Sequence, residues 1–180
     1  MTHTQLVNDF IYCREMALTE VTFPNNCRAD IVDIRQTIQN IHIHIYEIKA
    51  SRSDFLSDLK SLKHMKYLKH CNRLSFAVNE GVAEYHDIPN LFGLVIRNKN
   101  GWKTVKVAKK LQDEISFETL KTLLFHRIQH QKNLIRKAEQ FAMMEIHHRR
   151  TSISESEKRM KDFYNTYHFQ IERLKELGIL

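Results

Sequence analysis

Glycine and proline are scarce in this 180-residue chain, four and two respectively, and neither occurs between Gly101 and Gly178. A collagen-like or low-complexity chain is excluded, and the last third is left without helix-breaking residues. Cysteine is also scarce: Cys13, Cys27 and Cys71 are odd in number, far apart and without CxxC spacing. That excludes a disulfide framework or a zinc knuckle and leaves small thiols, buried or half-buried. No apolar run approaches the ~20 residues of a membrane span, and "MTHTQLVNDF" lacks the basic region and apolar run of a secretory signal. No membrane partner is expected, and a cytoplasmic location is. Acidic excess is missing too. The formal charge is +7 with histidine neutral, which favours polyanionic partners, chiefly nucleic acid, DNA more than RNA.

What is present is one hydrophobic core's worth of periodic sequence, 42% hydrophobic and 27% charged. Leu6, Val7, Phe10, Ile11, Cys13 and Met16 recur at helical spacing over 5–18. Extended segments follow at "TEVTF", "RADIVDI", "IHIHIYEIK", "RLSFAV", "FGLVI" and "WKTVKV", with Asn100-Gly101 as a hairpin signal between the last two. Between the third and fourth, Phe55, Leu56, Leu59, Leu62, Met65 and Leu68 predict one helix from Arg52 to His70. Lys60, Lys63, Lys66 and Lys69 lie on its exposed side. They read either as a solvated face or as a groove wall meeting phosphates.

After Lys110 the period turns helical throughout. "HHRRTSIS" is expected to interrupt the helices, Ser154 and Glu157 to open the last as a capping box, and Gly178 to close it. Met160, Tyr164, Tyr167, Ile171 and Leu174 then form a narrow seam. It fits a helical hairpin packed on its own core, or a homodimer through the C-terminal helices. The expected organisation is a core over 1–112 and a helical extension over 113–180.

The stretch 41–49 carries the chemistry. Ile41, Ile43 and Ile45 set one face of a strand, yet the next positions of that parity are Glu47 and Lys49. Charge is uncommon at the end of an apolar strand face, and Asp30 on the preceding strand could bring a second carboxylate beside Glu47. Two such carboxylates repel unless a hard cation lies between them; Mg²⁺, or Mn²⁺ in its place, suits those oxygens. Lys49 could then position or help deprotonate a water and offset charge developing on a phosphate. His42 and His44 share the other face. Without a further ligand at suitable spacing they read as edge or surface histidines rather than a zinc pair. His147 and His148, adjacent on a helix, are less ligand-like still. Trp102 reads as hairpin packing, or as an aromatic beside Lys103 that stacks on a base.

"RAD" at 28–30 followed by "EIK" at 47–49 resembles the D…(D/E)xK signature of the PD-(D/E)XK nuclease superfamily. The longer strings "EIKASRSDFLSDLK", "HMKYLKHCNRLSFAV" and "IPNLFGLVI" resemble the MmcB-like DNA-repair nuclease family more narrowly, over about residues 15–107. The resemblance implies a mixed α/β sheet with a restriction-endonuclease-like αβββαβ core followed by the helical extension. It also implies a metal-dependent endonuclease acting on DNA, with Asp30 and Glu47 as metal ligands and Lys49 as the motif lysine. Glu20 matches an upstream acid, with Glu15 its rival. Arg28, Ser51, Arg52 and Asp54 match positions of phosphate contact, Ser51 and Asp54 reading equally well as helix caps. The alternative is a non-catalytic module that binds nucleic acid or protein on the same fold.

Overall fold

The structure is a computed structural model that describes residues 1–37, 40–112 and 114–177. It divides into two units, Met1–Ile128 and Gln129–Leu180. In the first, helix α1 (His3–Tyr12) opens with a capping box in which Thr2 and Gln5 satisfy each other's backbone N–H groups. Six strands follow: β1 (Ala17–Thr22), β2 (Arg28–Gln36), β3 (Ile41–Lys49), β4 (Arg73–Asn79), β5 (Gly93–Asn98) and β6 (Gly101–Lys106). They form one mixed α/β sheet in the order β1-β2-β3-β4-β5-β6. The β1–β2, β2–β3 and β5–β6 pairs are antiparallel, whereas β3–β4 and β4–β5 are parallel.

A parallel β3–β4 pair needs a crossover, and helix α2 (Arg52–Ser61) supplies its first part. Each sheet face buries its own cluster. Leu6, Val7 and Phe10 of α1 cover Ile31, Tyr46 and Ile48 on one face. On the other, Phe55, Tyr67 and Leu123 pack with Ile43, Ile45, Leu74 and Phe76. Gly93 is fixed by close approach, since a Cβ there would stand 2.2 Å from Ser75 Oγ and 2.9 Å from the Ala108 nitrogen. Gly101 closes the hairpin at a φ of +114°. Trp102 packs as one of the two expected roles required, edge-on to Phe10 at 4.7 Å, and donates to Asp9 Oδ2 at 2.8 Å.

Three expectations need correction. The helix expected over 52–70 is two segments: α2 ends at Leu62, left-handed with φ 52°, and a 3₁₀ turn runs Lys63–His70. The reason lies in the spacing of the buried residues. His64, Tyr67 and His70 are three apart, and a three-residue repeat carries all of them inward and leaves Lys63, Lys66 and Lys69 exposed. The break expected at 147–154 is absent, because helix α3 runs unbroken over Phe117–Glu176. Neither Gly nor Pro interrupts it, and the Thr151 hydroxyl bonds back to the carbonyls of His147 and His148 at 3.2 and 2.8 Å. The expected hairpin turn therefore does not form, and Met160, Tyr164 and Tyr167 are exposed. Gly178, the expected cap, lies outside the described residues. Third, Cys13 is exposed, while Cys27 and Cys71 are buried as expected. Among the described residues no helix is long and apolar enough to cross a membrane.

Candidate active site

Glu47 and Lys49 project from the last turn of the pleat of β3, and α2 brings an acid down onto them. Ser51 caps α2 by accepting from the Asp54 N–H at 3.2 Å. The capped helix then buries Phe55 and, one turn on, Asp58. Lys49 Nζ lies 3.3 Å from Glu47 Oε2 and 2.6 Å from Asp58 Oδ2, the latter an ion pair whose angle is not that of a hydrogen bond. Behind Asp58, His64 of the 3₁₀ turn meets its Oδ1 at 3.1 Å. All four side chains are buried, Glu47 to 1% exposure.

Asp30 approaches from β2. The antiparallel register that pairs Ile31 with Tyr46, carried one step further, sets Asp30 level with Glu47. Its Oδ2 accepts the Ile48 N–H at 2.8 Å and lies 3.3 Å from His3 Nε2 on α1. The structure thus brings Asp30, Glu47 and Lys49 to one end of the β2–β3 pair.

The electrostatics follow from burial. Loss of water and the nearby Asp30 charge push the Glu47 carboxyl up to about 7, against the opposing pull of Lys49. Burial alone would lower the Lys49 ammonium, but Glu47 and Asp58 outweigh it and hold it above its usual range. Asp58 is likewise penalised by burial, yet its hydrogen bond to His64 and its ion pair with Lys49 bring it down to about 2. One oxygen is left over. Glu47 Oε1 is buried with no hydrogen-bond partner among the described residues, and the nearby Tyr67 hydroxyl donates instead to the Arg28 carbonyl at 2.7 Å.

The remaining expected site residues scatter. Glu20 is left-handed with φ 55°, 44% exposed at its side chain, and bound to Arg28 at 2.8 Å. Its rival Glu15 lies with Arg14, Asp33 and Arg35, at the other end of β2 from Asp30. Arg52 forks onto Asp87, with Nη2 2.8 Å from Oδ1, and also donates to the Val82 carbonyl. Lys60, Lys63 and Lys66 are exposed. His44 is not at an edge, since β3 is the third of six strands; it bonds Ser75 and Tyr46. Among the described residues no group of three or more His, Cys, Asp or Glu side chains is arranged to hold a metal.

Sequence reasoning missed Asp58, His64 and His3. For Asp58 a signal existed: it falls three residues after Phe55, on the stripe that α2 turns to the core, where an unpaired acid would be costly.

A family model described as DNA repair protein MmcB-like matches residues 4–147. The chain belongs to the MmcB-like family of DNA repair proteins. The match in this MmcB-like chain is wider than the strings that carry the resemblance, taking in most of α1 and the first half of α3. It includes Asp30, Glu47, Lys49, Asp58 and His64. Among solved structures, the SPO1766 protein of unknown function from Silicibacter pomeroyi is similar, with a TM-score of 0.58 and 20% identity. That similarity covers 76% of this MmcB-like chain and 90% of the other, and it concerns the fold. No curated protein matches the chain.

Proposed function

We propose that this MmcB-like protein is a metal-dependent nuclease that hydrolyses phosphodiester bonds in DNA on a PD-(D/E)XK, restriction-endonuclease-like core. The observation that carries the reading is the unpartnered Glu47 Oε1, buried beside Asp30 and one residue pair from a locked ammonium. A leftover carboxylate oxygen with a second carboxylate's charge close by is what a divalent cation relieves. Two carboxylates are also enough for Mg²⁺, which commonly takes one or two from the protein and the rest from waters and substrate phosphates. Asp30 and Glu47 would hold Mg²⁺, with Mn²⁺ able to replace it. Once bound, such an ion lowers the pKa of a coordinated water and neutralises phosphate charge.

Lys49 stays charged throughout the working pH range and donates toward the scissile phosphate or the attacking water. Asp58 fixes where that ammonium points, and His64 fixes Asp58. A non-catalytic DNA-binding module is the second reading. It is favoured by the burial of Lys49, 7% exposed at its side chain, which a substrate reaches only if the strand end opens.

The deciding assay incubates the protein with linear, nicked, branched and single-stranded DNA in Mg²⁺, Mn²⁺ or EDTA. Cleavage is expected with either metal and not with EDTA. Asp30→Asn and Glu47→Gln should abolish both cleavage and Mg²⁺ binding, while Lys49→Ala should bind metal yet cleave at least ~100-fold more slowly. Metal-independent nicking, or full activity in Lys49→Ala, would refute the nuclease reading.

A further inference from the structure

The amino end of β3 carries a second polar cluster that the proposed chemistry does not use. The registers set Asp33, His44 and Arg73 in one row across β2, β3 and β4, and Arg35 with His42 in the next row. This is the face that α1 covers, but α1 ends at Tyr12, short of these rows. Arg14, just past its end, lies over the rings of Phe10 and Tyr46 at 4.7 and 5.1 Å. What remains is a depression of about 300 Å³ lined by Arg35, His42, His44, Arg73 and their neighbours.

The charges there do not balance. Arg14, Arg35 and Arg73 all act on His44; Asp33, buried, is bound to Arg35 at 3.2 Å and Arg14 at 3.9 Å, and Glu15 stands on the Arg14 side, outside the depression. The depression itself is lined by two guanidiniums, Arg35 and Arg73, and by no carboxylate. His44 adds none. Burial and the arginines hold it down to about 3, and its ring nitrogens are occupied by Ser75 at 2.8 Å and Tyr46 at 3.0 Å. Arg35 commits its Nε to Asp33, and Arg73 one Nη to the Ala108 carbonyl. A guanidinium has five donors, so both keep a fork to offer.

We propose that this depression binds a phosphate monoester, either the terminal phosphate of a DNA strand or a free phosphate. A monoester carries about −1.5 to −2 charges at neutral pH, which matches the two guanidiniums of the lining, and its oxygens suit paired guanidinium forks. A backbone diester carries one charge, half that of the two guanidiniums. The site is distinct from the carboxylates: His44 and Lys49 are five residues apart on β3, roughly 16 Å at ~3.3 Å per residue, and β3 presents them to opposite faces.

Calorimetric titration of the intact protein with inorganic phosphate, and with one oligonucleotide bearing either a 5′-phosphate or a 5′-hydroxyl, tests this. One-to-one phosphate binding is expected, weakened at least tenfold in Arg35→Gln and kept in Lys99→Gln, an exposed lysine outside the depression. Arg35 is 62% exposed at its side chain, so that variant should fold. Arg73→Gln, which also loses the Ala108 contact, gives a second reading. Preference for the 5′-phosphorylated strand assigns a strand end, and equal affinity for the two oligonucleotides assigns free phosphate. No saturable phosphate binding, binding unchanged in Arg35→Gln, or binding weakened as much in Lys99→Gln would overturn the proposal.

Discussion

The two ends of β3 solve the problem of polar burial in opposite ways. At the carboxyl end Glu47, Lys49, Asp58 and His64 are all buried, and charge is met by charge over 2.6 to 3.3 Å. At the amino end the ring at the centre, His44, is neutral and bonded to the hydroxyls of Ser75 and Tyr46, while the charges stand around it on arginines, of which Arg35 is open to solvent. The difference follows from what covers each end. α2 and the 3₁₀ turn close over Lys49 and contribute Asp58 and His64 from above. α1 stops before His44, so no second layer arrives and Arg35 keeps its water. A covered end must match its charges internally, whereas an open end can hold an excess for a ligand.

The largest expected effect comes from breaking the covered end. Asp58→Ala takes from Lys49 the nearer of its two carboxylates and from His64 the carboxylate it meets at 3.1 Å. Removing one partner of a buried ion pair costs about 3–5 kcal/mol, and chemical denaturation should register a loss of that size. A loss under about 1 kcal/mol would mean that Lys49 is solvated and that the two ends do not differ as described.

Next in size is a pH effect that only the covered end should show. Glu47 titrates at about 7 in the fold against 4.5 unfolded. A raised carboxyl pKa stabilises the protonated fold, so its contribution is fully present below about 4.5 and is lost as pH rises through about 7. A difference of that size corresponds to about 3 kcal/mol. Glu47→Gln lacks this titration. Its stability relative to wild type should improve by roughly that amount between pH 4.5 and 7.5 and stay level above it. The difference between the two proteins is the quantity to measure, because His44 imposes the opposite trend on both: held neutral in the fold, it favours folding more as pH rises from about 3.

How much of this contrast the sequence carries depends on the range of the contacts. The six strands are legible because alternation and turn residues are local, and Glu47 and Lys49 are conspicuous because they break the alternation of their own strand. Asp30 is reachable through one hairpin register. The partners of Lys49 and His44 are harder to see. Asp58 shows only as a polar residue on an apolar stripe, and Ser75 reaches His44 across 31 residues through a parallel crossover. The 3₁₀ turn is hidden because its lysines recur every three residues, which suits an α-helical surface well enough. The continuous α3 is hidden for a different reason: Ser154 and Glu157 have the form of a cap, but a cap stops a helix only where the preceding backbone needs one, and Thr151 bonds to the turn before it.

The smallest predicted effect examines the open end. Tyr46→Phe removes the hydroxyl that meets His44 Nδ1 at 3.0 Å and leaves the ring its bond to Ser75. Losing one neutral hydrogen bond at a buried site costs about 1 kcal/mol. The phenyl ring keeps the stacking against His44 at 4.1 Å and the tilted contact with Phe10, so packing should not add to the loss. The informative feature is its flatness. His44 titrates at about 3 in the fold, and burial holds the Tyr46 hydroxyl above its usual range, so neither changes charge in the native state between pH 5 and 9. Protonation of His44 in the unfolded chain is common to both proteins and cancels. The cost of Tyr46→Phe should therefore be constant over that range, while that of Glu47→Gln slopes through its lower half. Should the Tyr46→Phe cost change across pH 6–7, His44 would be charged in the fold near neutrality, and the amino end would be a second buried-charge site rather than a neutral floor beneath three arginines.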